Sequence, residues 1–417
     1  MEPKKYQYVR KCFTFKGLEY QATGKTEEDA IEKKIKMLKA LKKGEPIRQH
    51  RKERGESALS SEMTVSDYSA VWLETFVHSR IRAPGTPKKK KTITQKTYDN
   101  YVSKVEHYIL PSIGKMKICN VLDIHIQQIL NASKEAGMSK SHCEKLYVLL
   151  KDMFDHAVSS KVIDSSPITE EVAVTACDGK KRRSLTKYEL KILKEVAKTH
   201  RCGMWIKFLL ATGIRPAESA PLCIKDLDLD ADIVHIYQAI ESGTEKVVGP
   251  PKSKAGIRDV PISYIHDELV KYIEGRDPDE FLFPQTDGKT MMTTTAIANN
   301  WRSFRRQMDL AMGAETTNHG HIYDPKDIDK DGIPLYPDEN GNPRNGHKIA
   351  DDLVLYCLRH TFCTNLQKSG VPLGIAKTLM GHEDIKITLE IYTHSDTDDV
   401  IQAGNLLSRY LQSQEDD

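Results

Sequence analysis

No stretch of the 417 residues approaches the roughly 20 consecutive apolar residues of a membrane-crossing helix, so no bilayer partner is expected. The opening Met-Glu-Pro-Lys-Lys lacks the apolar region that follows the charged start of a secretory signal. Cysteine is thinly spread: Cys12, Cys119, Cys143, Cys177, Cys202, Cys223, Cys357 and Cys363 include no Cys-x-x-Cys pair. That argues against a disulfide framework or a thiolate zinc site and points to a reducing, cytoplasmic compartment. Aromatics are few at 7%, but 39% hydrophobic residues suffice for ordinary cores, and the length suggests two or three domains. The net charge of +3 is also small, until it is divided along the chain. Residues 1–54 hold sixteen Lys/Arg against eight Asp/Glu, a balance of +8, which leaves about −5 for the rest. A basic module on a nearly neutral body implies a polyanionic partner.

What is present concentrates in two stretches. Residues 353–394 supply a guanidinium (Arg359), three imidazoles (His360, His382, His394) and two phenols (Tyr356, Tyr392), with Leu366, Leu373, Ile375, Ala376, Leu379 and Met380 as an apolar face to fix them on helices. Gly370 and Gly381 follow periodic segments, where helices stop, and Tyr392 lies beyond a second helical stretch at Ile385–Ile391. An Arg, a His and a late Tyr suit attack on a phosphodiester, the phenolate as nucleophile and the cations holding charge on phosphorus. The same residue types would also serve as polar decoration of a helical core. The second stretch is Ala211-Thr-Gly-Ile-Arg-Pro-Ala-Glu-Ser-Ala-Pro-Leu, after an apolar helix at Met204–Leu210. Gly213 is expected to break that helix and place Arg215 in a turn, and Glu218 to start the next helix, where a carboxylate favours the positive end of the dipole.

Together these stretches resemble the tyrosine recombinase, or phage integrase, family, whose boxes read Thr-Gly-x-Arg-x-x-Glu and Leu-Arg-His-Thr-Phe…Gly-His…Tyr. The layout is most similar to integrases of phages and conjugative transposons. The fold class implied is multidomain and mainly α with small β-sheets. It comprises an N-terminal β-sheet-plus-helix arm-binding domain, an all-α core-binding domain and an α+β catalytic domain.

The chain in order fits that layout. Tyr8, Phe13, Phe15 and Tyr20 lie in short alternating segments broken by Gly17 and Gly24, reading as two or three small strands. Thr26-Glu-Glu-Asp then caps a helix with Ala30, Ile31, Ile35, Leu38 and Leu41 on one face. Residues 1–45 resemble an arm-type DNA-binding domain, able to lay strands into a major groove; a basic solubilising appendage is the plain alternative. Residues 46–63 read as a linker. Residues 64–165, with helices from Thr64 and at Thr94–Ile109, Asp123–Ala136 and Ser139–Ser160, resemble a helical, SAM-like core-binding domain. The lysine run Lys88–Lys91 falls in a loop there. Residues 166–183 form the interdomain linker, and 184–417 the catalytic domain, opened by an N-cap at Ser184-Leu-Thr-Lys-Tyr-Glu-Leu.

The resemblance implies roles residue by residue. Arg215 and Arg359 would hold the non-bridging phosphate oxygens, His382 would donate a further hydrogen bond, and Tyr392 would be the nucleophile. In the Val247–Ile262 sheet, Lys254 precedes the expected hairpin tip Ala255-Gly256 and matches the family's general acid better than Lys252 does. The products would be a 3′-phosphotyrosyl link and a free 5′-hydroxyl, with no cofactor and no metal. Tyr356 stands where many members carry His three residues before the second Arg. A phenol, with an ordinary pKa of about 10, can donate to phosphate but is a poor base. His360 is expected to be structural, hydrogen-bonded to the first box.

Residues 313–350 look inserted, rich in Gly, Pro, Asn and Asp. Asp327, Asp329, Asp331, Gly332 and Asp338 have the spacing of a calcium loop, without flanking helices, and read as a solvated acidic loop. The tail 398–417 carries Val400, Ile401, Leu406, Leu407, Tyr410 and Leu411 in an amphipathic series suited to docking on a neighbouring protomer. The expectation is therefore a site-specific integrase of a phage or integrative conjugative element, in a bacterial cytoplasm, associated with the nucleoid. Its partners would be double-stranded DNA at core and arm sites, three further copies in a synaptic tetramer, and an excision factor or host DNA-bending protein. A catalytically inactive DNA-binding regulator and a type IB topoisomerase-like enzyme are the competing readings.

Overall fold

A computed structural model describes residues 9–15, 18–24, 26–43, 60–87, 89–174, 182–251, 253–330 and 332–392. The chain divides into two compact units, residues 1–80 with 98–179 and residues 81–97 with 180–417.

In the first unit, β1 (Val9–Phe15) and β2 (Leu18–Gly24) pair antiparallel from Val9↔Gly24 to Phe15↔Leu18. Thr26 accepts a hydrogen bond from Asp29 N at 3.2 Å and opens α1 (Glu27–Lys43). Ala30 is buried, whereas Ile31 and Ile35, expected on the same inward face, are exposed. Two short strands cover too little of the helix to bury a five-residue stripe.

The helical part begins at α2 (Val65–Val71), capped by the Thr64 side chain, and runs on through a π turn at Trp72–Val77. α3 (Gln95–Lys104) runs through a second π turn into α4 (Leu110–Ile113), and α5 (Asp123–Glu135) and α6 (Lys140–Ser159) follow. These bounds agree with the 3.6-residue periodicity of the sequence. Tyr68, Trp72, Ile126, Leu130, Leu146 and Phe154 form the core, each fully buried.

In the second unit, Thr186 caps α7 (Lys187–Val196), with Glu189 closing a capping box. The cap lies two residues beyond Ser184. α8 (Gly203–Thr212) buries Trp205, Ile206, Phe208 and Leu209, at about 1.5–3 kcal/mol for each large apolar side chain. It ends at Gly213, whose φ of +60° favours glycine and where a Cβ would come 2.2 Å from Phe362 Cδ1. The short α9 (Pro216–Ser219) leads to β3 (Leu227–Asp228), β4 (Ile233–Ile236), β5 (Ala239–Ile240), β6 (Val248–Gly249) and β7 (Arg258–Pro261). Two sheets result, a three-stranded antiparallel β3-β4-β7 and a two-stranded β5-β6.

The expected hairpin across Ala255-Gly256 does not form. β6 and β7 pair with different strands, and Lys254–Gly256 is a 3₁₀ turn between the two sheets. Pro250 and Pro251 have no N–H to continue a ladder from β6.

α10 (His266–Ile273), α11 (Thr294–Ala311), α12 (Tyr356–Lys368), α13 (Leu373–Met380) and α14 (Ile385–Tyr392) complete this unit. α8 packs on α12, and α7 on α11. Residues 81–97, which the sequence groups with the helical segment 64–165, belong to this unit. Arg82 pairs with Glu241 at 2.5 Å, and the Gly85 N–H donates to the same carboxylate. Gly249 fits there because a Cβ would sit 2.9 Å from Gly85 Cα.

Between α11 and α12, residues 313–350 form turns joined by the isolated bridges Thr316↔Ile322, Ile328↔Pro334 and Pro337↔Pro343. Asp329 accepts from Ile333 N and Asp338 from Asn340 N and Asn342 N, so these carboxylates serve their own turns. Among the described residues no group of three or more His, Cys, Asp or Glu could hold a metal ion, and none of the described helices is long and apolar enough to cross a membrane. Lys88, Lys252, Asp331, His394 and the tail series lie outside the described residues.

Candidate active site

The C-terminal carbonyls of a helix lack intrahelical donors and carry the negative end of its dipole. At the end of α13 three arginines use them. Arg258 Nε donates to Leu379 O at 2.7 Å, Arg359 donates to Met380 O, and Arg215 donates to Gly381 O at 3.1 Å. Gly381, at φ +60°, turns the chain away, and a Cβ there would sit 2.9 Å from the Arg258 guanidinium and 3.0 Å from Ala255 O. Glycine is required because the Lys254–Gly256 turn and Arg258 press against it.

Each guanidinium has a second anchor. Arg359, 4% exposed, donates to Gly213 O at 2.7 Å, which ties the second sequence box to the first. Arg215 and Arg258 share the buried carboxylate of Glu218, at 2.7 Å to Oε1 and 2.9 Å to Oε2. Glu218 Oε2 also accepts from Arg215 N at 2.9 Å. Burial raises the Glu218 carboxyl pKa, but Arg258 and Arg215 outweigh it and hold the group below its ordinary range. Burial and then Arg215 lower Arg359 to about 9, which leaves it protonated at neutral pH. Three guanidiniums and one carboxylate leave a formal excess of two positive charges in a cluster that is buried except at Arg215, an arrangement that favours an anion.

His382 follows Gly381 and is buried. Its Nδ1 pairs with Thr388 Oγ1 at 2.9 Å, and burial, followed by Arg359, Arg215 and Arg258, drives its pKa down to about 3. The ring is thus neutral at physiological pH. A neutral ring carries one N–H, and the tautomer in which Nδ1 accepts from the Thr388 hydroxyl is the one that leaves Nε2 free to donate. Thr388 lies on α14, and Tyr392 closes that helix four residues later, about one turn on.

Tyr356 is the first residue of α12, half-buried, with the Arg182 guanidinium 4.6 Å from its ring centroid. A cavity of about 760 Å³ is lined by Arg215, Glu218, Gly256, Tyr356, Gly381 and His382, and also by residues of the 82–97 segment. Lys254 is exposed in its turn, and the backbone of that turn reaches the cavity at Gly256. His360 departs from expectation. Its ring makes no hydrogen bond to the first box among the described residues, where Arg359 makes the connection instead.

The structure brings Arg215, Arg359, His382 and Tyr356 together, with the Lys254 turn and the last turn of α14 joined to them through Gly381 and Thr388. Sequence reasoning missed Arg258 and Thr388. For Arg258 a signal existed: it shares the inward phase of β7 with Val260, and an arginine on the buried face of a strand needs fixed acceptors.

Residues 183–321 and 344–399 match the Phage integrase family, and residues 86–133 match the Phage integrase N-terminal SAM-like domain, together more than half of the sequence. The chain belongs to the phage integrase family of tyrosine recombinases. It is therefore an enzyme of DNA cleavage and rejoining. The family match omits residues 322–343, within the inserted turns.

Among its relatives is a tyrosine recombinase XerC-like protein of Caldanaerobacter subterraneus, 25% identical over 386 residues, covering 89% of this chain and 86% of that one. The transposase of transposon Tn916 from Enterococcus faecalis is 26% identical over 211 residues, 50% of this chain and 46% of that protein. Prophage integrase IntR of Escherichia coli is 30% identical over 264 residues, 62% of this chain and 59% of that protein. In fold, the chain is similar to the Tn1549 transposon integrase solved with a circular intermediate DNA, at TM-score 0.59 and 18% identity over 83% of this chain and 99% of that one. These relatives are recombinases, transposases and integrases, and they favour neither a topoisomerase nor an inactive regulator.

Proposed function

We propose that this recombinase integrates and excises a mobile element through a 3′-phosphotyrosyl intermediate, with Tyr392 as the nucleophile. The observation that supports it most is the convergence of Arg215, Arg359 and neutral His382 at the end of α13, with an excess of two positive charges. A phosphodiester brings one negative charge, and its pentacoordinate transition state carries two. A cluster with that excess therefore gains more in the transition state than in the ground state.

Arg215 and Arg359 hold the non-bridging oxygens by charge-assisted hydrogen bonds, and His382 donates through Nε2. Tyr356 supplies a phenolic donor at the cavity wall. Tyr392 gives up its phenolic proton to solvent; as the phenolate oxygen bonds to phosphorus, the bond to the 5′-oxygen breaks and Lys254 protonates the leaving oxygen. One ester is exchanged for another, and rejoining reverses the step with a new 5′-hydroxyl.

The basic 1–45 module reads arm sites, and the helical segment and catalytic unit read core sites. Four copies assemble on two duplexes in a bacterial cytoplasm, with an excision factor or host bending protein selecting direction. The DNA complexes known for similar folds, including a lambda integrase tetramer on a Holliday junction, support this assembly. The test is a nicked suicide substrate carrying a core site, incubated with chelator. A protein–DNA adduct joined through the 3′ end, beside a free 5′-hydroxyl, is expected; a 5′ linkage or strict metal dependence would refute the reading.

A further inference from the structure

We infer that Arg258 is a positioning residue that sets the Lys254 turn against the phosphate-binding arginines, and so acts on cleavage through the general acid. The inference rests on Lys254 having the role proposed above.

Among the described residues, few other hydrogen bonds fix the turn carrying Lys254. It belongs to neither sheet, and Pro250 and Pro251 offer it no ladder hydrogen bonds. Its own backbone bonds, Gly256 N to Ser253 O at 2.9 Å and Ile257 N to Lys254 O at 3.1 Å, set its shape but not its place. Arg258 sets its place. Its Nη1 donates to Gly256 O at 2.9 Å, its Nη2 to Glu218 Oε2 at 2.9 Å and its Nε to Leu379 O at 2.7 Å.

These three acceptors belong to three separate chain segments, each next to a site residue. Gly256 closes the Lys254 turn, Glu218 holds Arg215, and Leu379 precedes Met380, Gly381 and His382. Only a planar fork with several fixed N–H vectors meets three such acceptors at once; an ammonium on a flexible stem does not. Arg258 is 6% exposed and does not line the cavity, so it is not placed to touch phosphate. Close packing completes the joint: a Cβ on Gly256 would lie 2.3 Å from Pro251 Cβ, and one on Gly381 would lie 3.0 Å from Ala255 O.

A residue that acts only through the general acid leaves a specific signature. When sulfur replaces the bridging 5′-oxygen, the phosphorus–sulfur bond breaks to release a thiolate that needs no proton, so misplacing the acid ceases to matter. Single-turnover cleavage by Arg258→Lys should be about 100-fold slower than the parent on the oxygen substrate and nearly parental on the sulfur substrate, the pattern of Lys254→Ala. Both rates come from one preparation, so loss of folded protein lowers them equally and leaves their ratio unchanged. Should Arg258→Lys not fold, Gly256→Ala keeps Arg258 and displaces the turn against Pro251, and it should show the same sulfur rescue. Rescue of Lys254→Ala but of neither Arg258→Lys nor Gly256→Ala would overturn this inference alone. A Lys254→Ala enzyme that sulfur does not rescue would overturn the general-acid assignment and the inference with it.

Discussion

Acid should destabilise the catalytic unit through one imidazole. His382 is buried among Arg359, Arg215 and Arg258, and its pKa falls from the ordinary 6.5 to about 3. In the unfolded chain the ring titrates near 6.5. Between pH 6.5 and about 3 the unfolded state therefore binds more protons than the folded state. Stability from this residue is fully present above pH 6.5 and is lost steadily as pH falls toward 3, at about 1.36 kcal/mol per pH unit. Going from pH 7 to pH 5 crosses about 1.5 units of that window, a loss of about 2 kcal/mol.

Other groups contribute to acid sensitivity. The carboxyl of Glu218, for which burial is outweighed by Arg258, and that of Glu189, paired first with Arg183, are both depressed and also lose stability as pH falls. A difference measurement removes them. Urea denaturation of the parent and of His382→Asn at pH 7 and pH 5 should show the parent losing about 2 kcal/mol more than the variant. Equal losses would mean that the imidazole titrates normally and does not share a buried pocket with three guanidiniums.

Arg215→Ala or Arg359→Ala should slow cleavage of a suicide substrate about 100-fold or more, the scale of losing one transition-state donor, while gel-shift affinity for core DNA changes far less. Deleting residues 1–54 should spare cleavage of a short core duplex yet cripple integration between full-length sites, because the module gains effective concentration through its linker. Footprints of the full chain on arm sites should weaken steeply with salt, as expected for a segment of balance +8.

Much of the second unit was legible because its chemistry is confined to short motifs. Thr-Gly-Ile-Arg placed Gly213 at a helix end and Arg215 in the turn beyond, and the left-handed φ of Gly213 bears this out. Helical periodicity located α5 and α6 within a residue, since each has an apolar stripe wide enough to define a face, whereas the expected helix at Thr94–Ile109 is divided into α3 and the π turn that follows it.

What failed did so for want of long-range information. Ala255-Gly256 after Lys254 suggested a hairpin tip, but the Pro250-Pro251 pair cannot continue a ladder, and β6 and β7 found separate partners. Ile31 and Ile35 repeat at helical spacing yet face outward, because the two-stranded sheet leaves them uncovered. Arg258 went unnoticed because its importance lies in three carbonyl and carboxylate acceptors drawn from distant segments. The sharing of Glu218 between two arginines is likewise invisible until β7 and α9 are brought side by side.

The identity of the nucleophile tests the account most directly. Protein trapped on a 3′-end-labelled suicide substrate should, after proteolysis, yield a single DNA-linked peptide that contains Tyr392. Tyr392→Phe should form no adduct while binding core DNA as the parent does, since only the phenolic oxygen is lost. An adduct formed by the Phe variant, or a linked peptide from another part of the chain, would contradict the assignment on which the mechanism rests.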